Sequence, residues 1–295
     1  MSKYLVSVDL GGSNIKSIIM KMEEDRAIFV DSIIFSSSNK ISNEENIVRF
    51  LDKNNVALDK IEKFILVGSG SSYYDDSFLG ISAVKIDEFD AIGMGGTILS
   101  KKDEAIIVNV GTGTTIVYSN INESKYLVGT GLGGGTFYGL AKRFGIKFDN
   151  AKELFDISTK GDCKNVDLII GDISKNDISL LSKDITAANF AGIHKQANEA
   201  DIVSAILNMI TQNIGLIVKL AKENYCLAHK KESIDIVFAG NFISNDIAKK
   251  SFEFIEGFTK QKYNYIDKNY SPLATAIGAY EYYLIKMRED RNIES

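Results

Sequence analysis

Asp9-Leu10-Gly11-Gly12-Ser13-Asn14 lies between two strand-like segments, residues 4–9 and 17–22. About 100 residues later, Asn109-Val110-Gly111-Thr112-Gly113-Thr114 lies between two more, residues 105–110 and 114–119. One device, strand, glycine turn and returning strand, therefore occurs twice, at a spacing far too long for a solenoid repeat. It predicts an α/β chain built of two related domains. The polar break Ser100-Lys101-Lys102-Asp103-Glu104 sets the boundary, giving domains 1–103 and 104–295. The 295 residues are about two domains' worth of chain.

Other elements extend outward from these turns. Residues 27–34 predict a third strand and 44–51 a short helix. The apolar run 64–67, closed by Gly68-Ser69-Gly70, reads as a buried strand, 84–86 as a short strand and 90–100 as a helix. Residues 126–128 precede the glycine-rich loop 129–135, after which a helix opens at Thr136. The longest helix, 201–222, repeats Ile202, Ala205, Ile206, Met209, Ile210, Ile217 and Leu220 at three and four residues. Residues 234–239 form a buried strand ending at Gly240-Asn241. Pro272 opens the last helix, with Ser271 as its cap.

Composition removes several function classes. Thirty-four Lys and Arg against 39 Asp and Glu give a net charge of -5, which argues against nucleic-acid binding by phosphate neutralisation. No uninterrupted apolar run approaches the roughly 18 residues of a bilayer span, and no membrane partner is expected. The opening stretch MSKYLVSVD is too short and too charged for a secretory signal, so a cytoplasmic protein is expected. Cys163 and Cys226, with His194 and His229, have no metal-ligand spacing, and no chemistry is assigned to them. Asn189 and Asn213, in apolar helical contexts, are expected to bond locally.

The turns have a chemical use. Glycine lets backbone N–H groups approach an anion with no Cβ in the way. Ser13, Thr112 and Thr114 add hydroxyls. The Asp9 carboxylate can hold magnesium, directly or through water, and Lys16 can reach a phosphate as a point charge. One such turn alone would equally be an ordinary hairpin; two matched turns and a third glycine cluster outweigh that reading. That cluster, Gly129-Thr130-Gly131-Leu132-Gly133-Gly134-Gly135, satisfies G-x-G-x-x-G, but neither Asp149 nor Glu153 ends the second strand a dinucleotide site needs. The helix from Thr136 can still point its N-terminus at phosphate. Asp87-Glu88-Phe89-Asp90 follows a strand, where a carboxylate can accept a hydroxyl proton, although such acids taken alone are more often solvated loop residues.

Together these motifs resemble the superfamily of acetate and sugar kinases, heat-shock ATPases and actin. Residues 9–16 are similar to its first phosphate motif, 109–115 to its second with Asn for the commoner Asp, and 237–241 to its adenosine segment. The match is nearest to the type II pantothenate kinases. It rests on Asp87-Glu88-Phe89-Asp90, residues 129–140, Lys160-Gly161-Asp162 with Val166-Asp167, Asn213-Ile214-Gly215, Gly240-Asn241-Phe242 and Ala276-Ile277-Gly278-Ala279. The resemblance implies two duplicated ribonuclease-H-like domains with ATP and Mg2+ in the cleft between them. It implies Glu88 as catalytic base. It places Asp9, Gly11, Gly12, Ser13, Lys16, Gly111, Thr112, Gly113, Gly133, Gly134, Gly135, Thr136, Gly240 and Asn241 on the nucleotide and Asp9 on the metal. It places Asp87, Thr112, Thr115 and Tyr126 on pantothenate. A homodimer built partly on helix 201–222, and acyl-CoA as a regulator, are implied too. Where the family carries an arginine before the glycine run, this chain has Tyr126, preceded by Lys125; Arg143 is the one arginine close to a motif. The rival readings are a kinase acting on pantetheine or another alcohol, and a non-enzymatic nucleotide- or acyl-CoA-binding sensor.

Overall fold

The computed structural model describes residues 3–23, 26–37, 41–175, 182–193 and 195–294. Met1, Ser2 and His194 lie outside the described residues. The chain opens with a three-strand meander, β1 Lys3–Leu10, β2 Asn14–Glu23 and β3 Arg26–Ser36, followed by α1 Asn43–Lys53. β4 Ile61–Val67, β5 Ser77–Phe78 and β6 Ile81–Lys85 complete a six-stranded sheet of order β3-β2-β1-β4-β6-β5. α2 Glu88–Ser100 leads into β7 Glu104–Val110, β8 Thr114–Asn120 and β9 Ser124–Thr130. There follow α3 Gly134–Arg143, α4 Ala151–Ser158, β10 Leu168–Ile169, α5 Ile170–Ile173, β11 Thr186–Ala188 and the long α6 Glu199–His229. β12 Ile236–Ala239, α7 Asp246–Thr259, β13 Tyr263–Tyr265 and α8 Ala274–Glu294 close the chain. The second large sheet has five strands in the order β13-β12-β7-β8-β9. In both sheets an antiparallel hairpin adjoins parallel strands, and the glycine turns sit at the carboxyl ends of β1 and β7.

Each sheet is covered on both faces, so alternate side chains feed separate cores. In the first sheet Val6, Val8, Leu10, Ile15 and Ile19 pack towards α1, while Leu5, Ile18, Ile65 and Val67 pack towards α8. In the second, Ile106, Val108, Val110 and Ile116 meet α3, α4, α6 and α7, and Ile107, Val117 and Val237 meet α2. The two halves thus exchange helices: α2 follows the first sheet but lies on the second, and α8 follows the second but lies on the first. α2 and α8 cross at contact distance. A Cβ on Gly95 would stand 2.0 Å from the Ala274 carbonyl oxygen, and one on Gly278 1.9 Å from that of Ala91.

Several local expectations are corrected. Pro272 sits in a short 3-10 turn, Ser271–Leu273, before α8, and the Ser271 hydroxyl donates to the Gly240 carbonyl rather than capping the helix. α6 runs from Glu199 to His229, capped by Asn198, and its buried stripe includes Val203, Ile206, Ile210, Ile214 and Val218; Leu220 is 64% exposed. α6 is also long and apolar enough to cross a membrane by length and composition, which polar interruptions hide from a run count. Instead it packs on α3, α4 and α7 in the second core. Asn213 bonds the Met209 carbonyl, one turn back on its own helix, as expected. Asn189 bonds Asp167, which is fully buried and also accepts from Thr186, Asn208 and the Phe190 amide. This hub ties the segment between α4 and α6 to the long helix.

Candidate active site

The two glycine turns face each other across one cleft. Its lining includes Gly11, Gly12, Ser13, Asn14 and Lys16 from the first turn, and Gly111 and Thr112 from the second. Gly134, Gly135 and Tyr138 of α3, and Asn241 and Phe242 after β12, complete it. The Thr112 hydroxyl donates to the Ser13 hydroxyl at 2.8 Å, so the tips of the turns touch. Asn14, Tyr138 and Phe242 stand inside motifs read from sequence but were given no site role there. Tyr138 stands four residues after Gly134 on one helical face, a signal that could have found it.

The first turn carries charge. Asp9 and Lys16 are cross-strand partners in β1 and β2, and Lys16 Nζ lies 2.8 Å from Asp9 Oδ2. Asp9 is 5% exposed. Gly68, at the end of β4 with φ +87°, lets the neighbouring strand pass beside this carboxylate; a Cβ there would lie 2.8 Å from Asp9 Oδ1. Among the described residues no group of three or more His, Cys, Asp or Glu forms a metal cage. One buried carboxylate paired with a lysine that lines the cleft nonetheless suits magnesium, which keeps several waters and binds through one or two carboxylates plus substrate phosphates.

The second turn is neutral and locked by backbone. Gly134 N–H donates to the Gly111 carbonyl at 2.8 Å and Gly135 N–H to that of Thr112 at 2.9 Å. The Thr114 hydroxyl, turned away from the cleft, bonds the Leu132 carbonyl, and Thr136 bonds that of Gly131. This revises the picture of a helix starting at Thr136 with its amides open to phosphate: α3 starts at Gly134, and its first two amides are committed to the second turn. A Cβ on Gly133 would stand 2.7 Å from the Thr112 carbonyl oxygen. Gly113 packs on the Thr130 carbonyl, and Thr115 pairs with Asn109 and Gly129 in the sheet. Gly240, at φ +101°, adopts a backbone few other residues accept, and a Cβ there would meet the Val110 carbonyl oxygen at 2.4 Å.

Glu88 opens α2 at the end of β6 rather than sitting in a loop before it. Asp87 is the N-cap, its Oδ1 accepting from the Phe89 amide at 2.8 Å and the Asp90 amide at 3.3 Å. The Glu88 residue is exposed. Desolvation by the surrounding walls, then the charges of Asp9 and Asp87, push its carboxyl above the usual carboxylate range, with Lys16 opposing them. These influences set Glu88 within electrostatic reach of the Asp9–Lys16 pair. Tyr126, half-exposed on β9, lays its ring on Phe89 at 4.8 Å between centroids, beside Glu88. A bulge at Leu127 interrupts the pairing of β9 with β8 at this point. Arg143 is at the opposite end of α3 from the cleft, about 13 Å along the axis at 1.5 Å per residue.

Two solved structures share the fold. One is an activator of 2-hydroxyisocaproyl-CoA dehydratase from Clostridium difficile with bound ADPNP: TM-score 0.64, 18% identity, covering 98% of this chain and 97% of that one. The other is component A of (R)-2-hydroxyglutaryl-CoA dehydratase from Acidaminococcus fermentans: TM-score 0.60, 13% identity, 94% and 96%. They support the duplicated ribonuclease-H-like architecture. Among curated relatives, a type II pantothenate kinase of Oceanobacillus iheyensis is 28% identical over 249 residues, 82% of this chain and 85% of its own length. One from Staphylococcus aureus is 27% identical over 253 residues, 84% and 88%. The family model named Fumble matches residues 101–282, more than half of the sequence, and the chain belongs to this family, that of the type II pantothenate kinases.

Proposed function

We propose that the protein transfers the γ-phosphoryl group of ATP to the primary alcohol of pantothenate, giving 4'-phosphopantothenate for coenzyme A synthesis. The observation that carries this is the meeting of both glycine turns, the start of α3 and Asn241 in one cleft lined by Lys16, whose ion-pair partner Asp9 is within electrostatic reach of Glu88. ADPNP bound in a relative of the same fold supports a nucleotide there. Gly11, Gly12, Ser13, Thr112 and Lys16 would hold the phosphates, and Gly240-Asn241 the adenosine side. Asp9 would hold magnesium, which when bound neutralises phosphate charge. Glu88, with Asp87, Thr115 and Tyr126 around the acceptor, takes the hydroxyl proton as the alcohol oxygen bonds to the γ-phosphorus. The bond from that phosphorus to the β-phosphate oxygen breaks, and ADP leaves. Positioning and charge stabilisation are most of what this reaction asks of a protein.

The same proposal includes a cytoplasmic homodimer, each chain of two domains with the boundary near Asp103, regulated by acyl-CoA. The exposed Leu216, Leu220 and Leu227 on α6 support the dimer face. A coupled ADP-release assay with pantothenate, pantetheine and a panel of other alcohols tests the activity. Magnesium-dependent turnover with pantothenate is expected. Nucleotide binding without turnover on any alcohol would favour a sensor instead. Tyr126 favours a second acceptor, pantetheine, because a neutral hydroxyl cannot make a bidentate contact with a carboxylate.

A further inference from the structure

A peptide unit offers an anion its N–H edge only where its carbonyl edge points elsewhere. In the second glycine turn two successive carbonyls are claimed, Gly111 by the Gly134 amide at 2.8 Å and Thr112 by the Gly135 amide at 2.9 Å. In the first turn two successive carbonyls are claimed as well, but by a single residue. The Ser37 hydroxyl donates to the Gly12 carbonyl at 2.8 Å, and the Ser37 amide donates to the Ser13 carbonyl at 3.1 Å. Ser37 follows β3 directly, so the third strand of the meander delivers it to the turn.

Peptide planarity converts these bonds into an orientation. In a trans peptide the C=O and the following N–H point opposite ways. The Gly12 carbonyl points at Ser37, so the Ser13 amide points away from it. Ser37 lines a separate cavity on the α1 side of the turn and is not part of the cleft lining, whereas Ser13 lines the cleft. The Ser13 amide is thereby turned to the cleft side. Among the described residues it has no backbone acceptor. The Ser13 hydroxyl accepts from Thr112 at 2.8 Å and keeps its own proton to donate. Ser13 thus brings two donors to the cleft, in addition to the charge of Lys16.

We propose that Ser37 is a positioning residue for the phosphates of the nucleotide: it draws the Gly12 and Ser13 carbonyls to the α1 side and fixes the Ser13 N–H towards the cleft. This role rests on the nucleotide reading of the cleft, and Ser37 acts in it through Ser13 without touching the ligand. Without the Ser37 hydroxyl the Gly12–Ser13 peptide is free to rotate and turn its carbonyl edge to the phosphate, a rotation that the wide backbone range of glycine permits.

Calorimetric titration of the full chain with ADP and magnesium tests this, beside adenosine as the ligand without phosphate. Ser37→Ala should weaken ADP about fivefold, the scale of one hydrogen bond between neutral groups, and leave adenosine unmoved. Ser37→Thr keeps a hydroxyl and should restore ADP binding. A merely structural role would lower the unfolding temperature and weaken both ligands alike. An unmoved ADP affinity in Ser37→Ala, equal weakening of ADP and adenosine, or Ser37→Thr as weak as Ser37→Ala would each overturn the proposal. A wild type that binds ADP but phosphorylates no alcohol would end the kinase reading of the site without touching the role of Ser37, which the ADP titrations alone decide.

Discussion

The two glycine turns repeat one backbone device and divide its work. In the first, the cross-strand pair below the turn is Asp9 with Lys16, an ion pair at 2.8 Å. In the second it is Asn109 with Thr115, neutral on both sides. The first turn is tied to its own half through Ser37, which bonds Gly12 and Ser13, and meets the other half at Thr112. The second is bolted by backbone hydrogen bonds to α3 and by close contact to Gly133 and Gly135. Duplication therefore supplied the geometry twice, and side chains then specialised one copy for charge and the other for rigidity. Changes on the charged edge should strike turnover or charge balance, and changes on the locked edge should strike stability.

The strongest way to break this contrast is Glu88→Gln. Loss of a general base costs about 10²–10⁴ in rate, so kcat for pantothenate should fall by that order while the affinity for ATP barely moves. The pH profile adds a sign. Because the Glu88 carboxyl is raised, kcat/KM in wild type should fall as pH drops through a value above the ordinary carboxylate range, and the variant should lose that limb. A group protonated more readily when folded opposes folding once it is ionised. Glu88→Gln should therefore be no less stable than wild type above that raised value, and the difference should vanish below the unfolded carboxylate pKa. A variant with near-normal turnover would move the base elsewhere, to Asp87 first.

Next in size is Lys16→Met. It leaves the Asp9 carboxylate nearly buried without its cation, which should reduce unfolding free energy by about 3 kcal/mol in urea titrations. Gly133→Ala probes the locked edge. Its Cβ meets backbone oxygens of Thr112 and Gly113 that cannot turn aside, so a loss of about 2 kcal/mol is expected. A full-stability Gly133→Ala would mean the second turn is not held rigid by the start of α3. Tyr126→Arg should raise the pantothenate-to-pantetheine ratio of kcat/KM by about tenfold, one charged hydrogen bond's worth. An unchanged ratio would remove Tyr126 from acceptor choice. The smallest effect belongs to Gly12→Ala, whose Cβ would find only the Thr112 hydroxyl, at 3.9 Å; thermal unfolding should report a change within about 0.5 kcal/mol.

Sequence alone located both turns, most strands that flank them, and the glycines that line the cleft. These signals are local. Alternating apolar residues mark a strand, and a glycine turn needs no distant partner to be recognised. It did not show which partners would claim those groups. The Gly134 and Gly135 amides go to the second turn, Ser271 bonds Gly240 across 31 positions, and Leu220 faces outward although it fits the helical repeat. The exchange of α2 and α8 between the sheets was likewise invisible, because a helix's apolar face does not name the sheet it will cover.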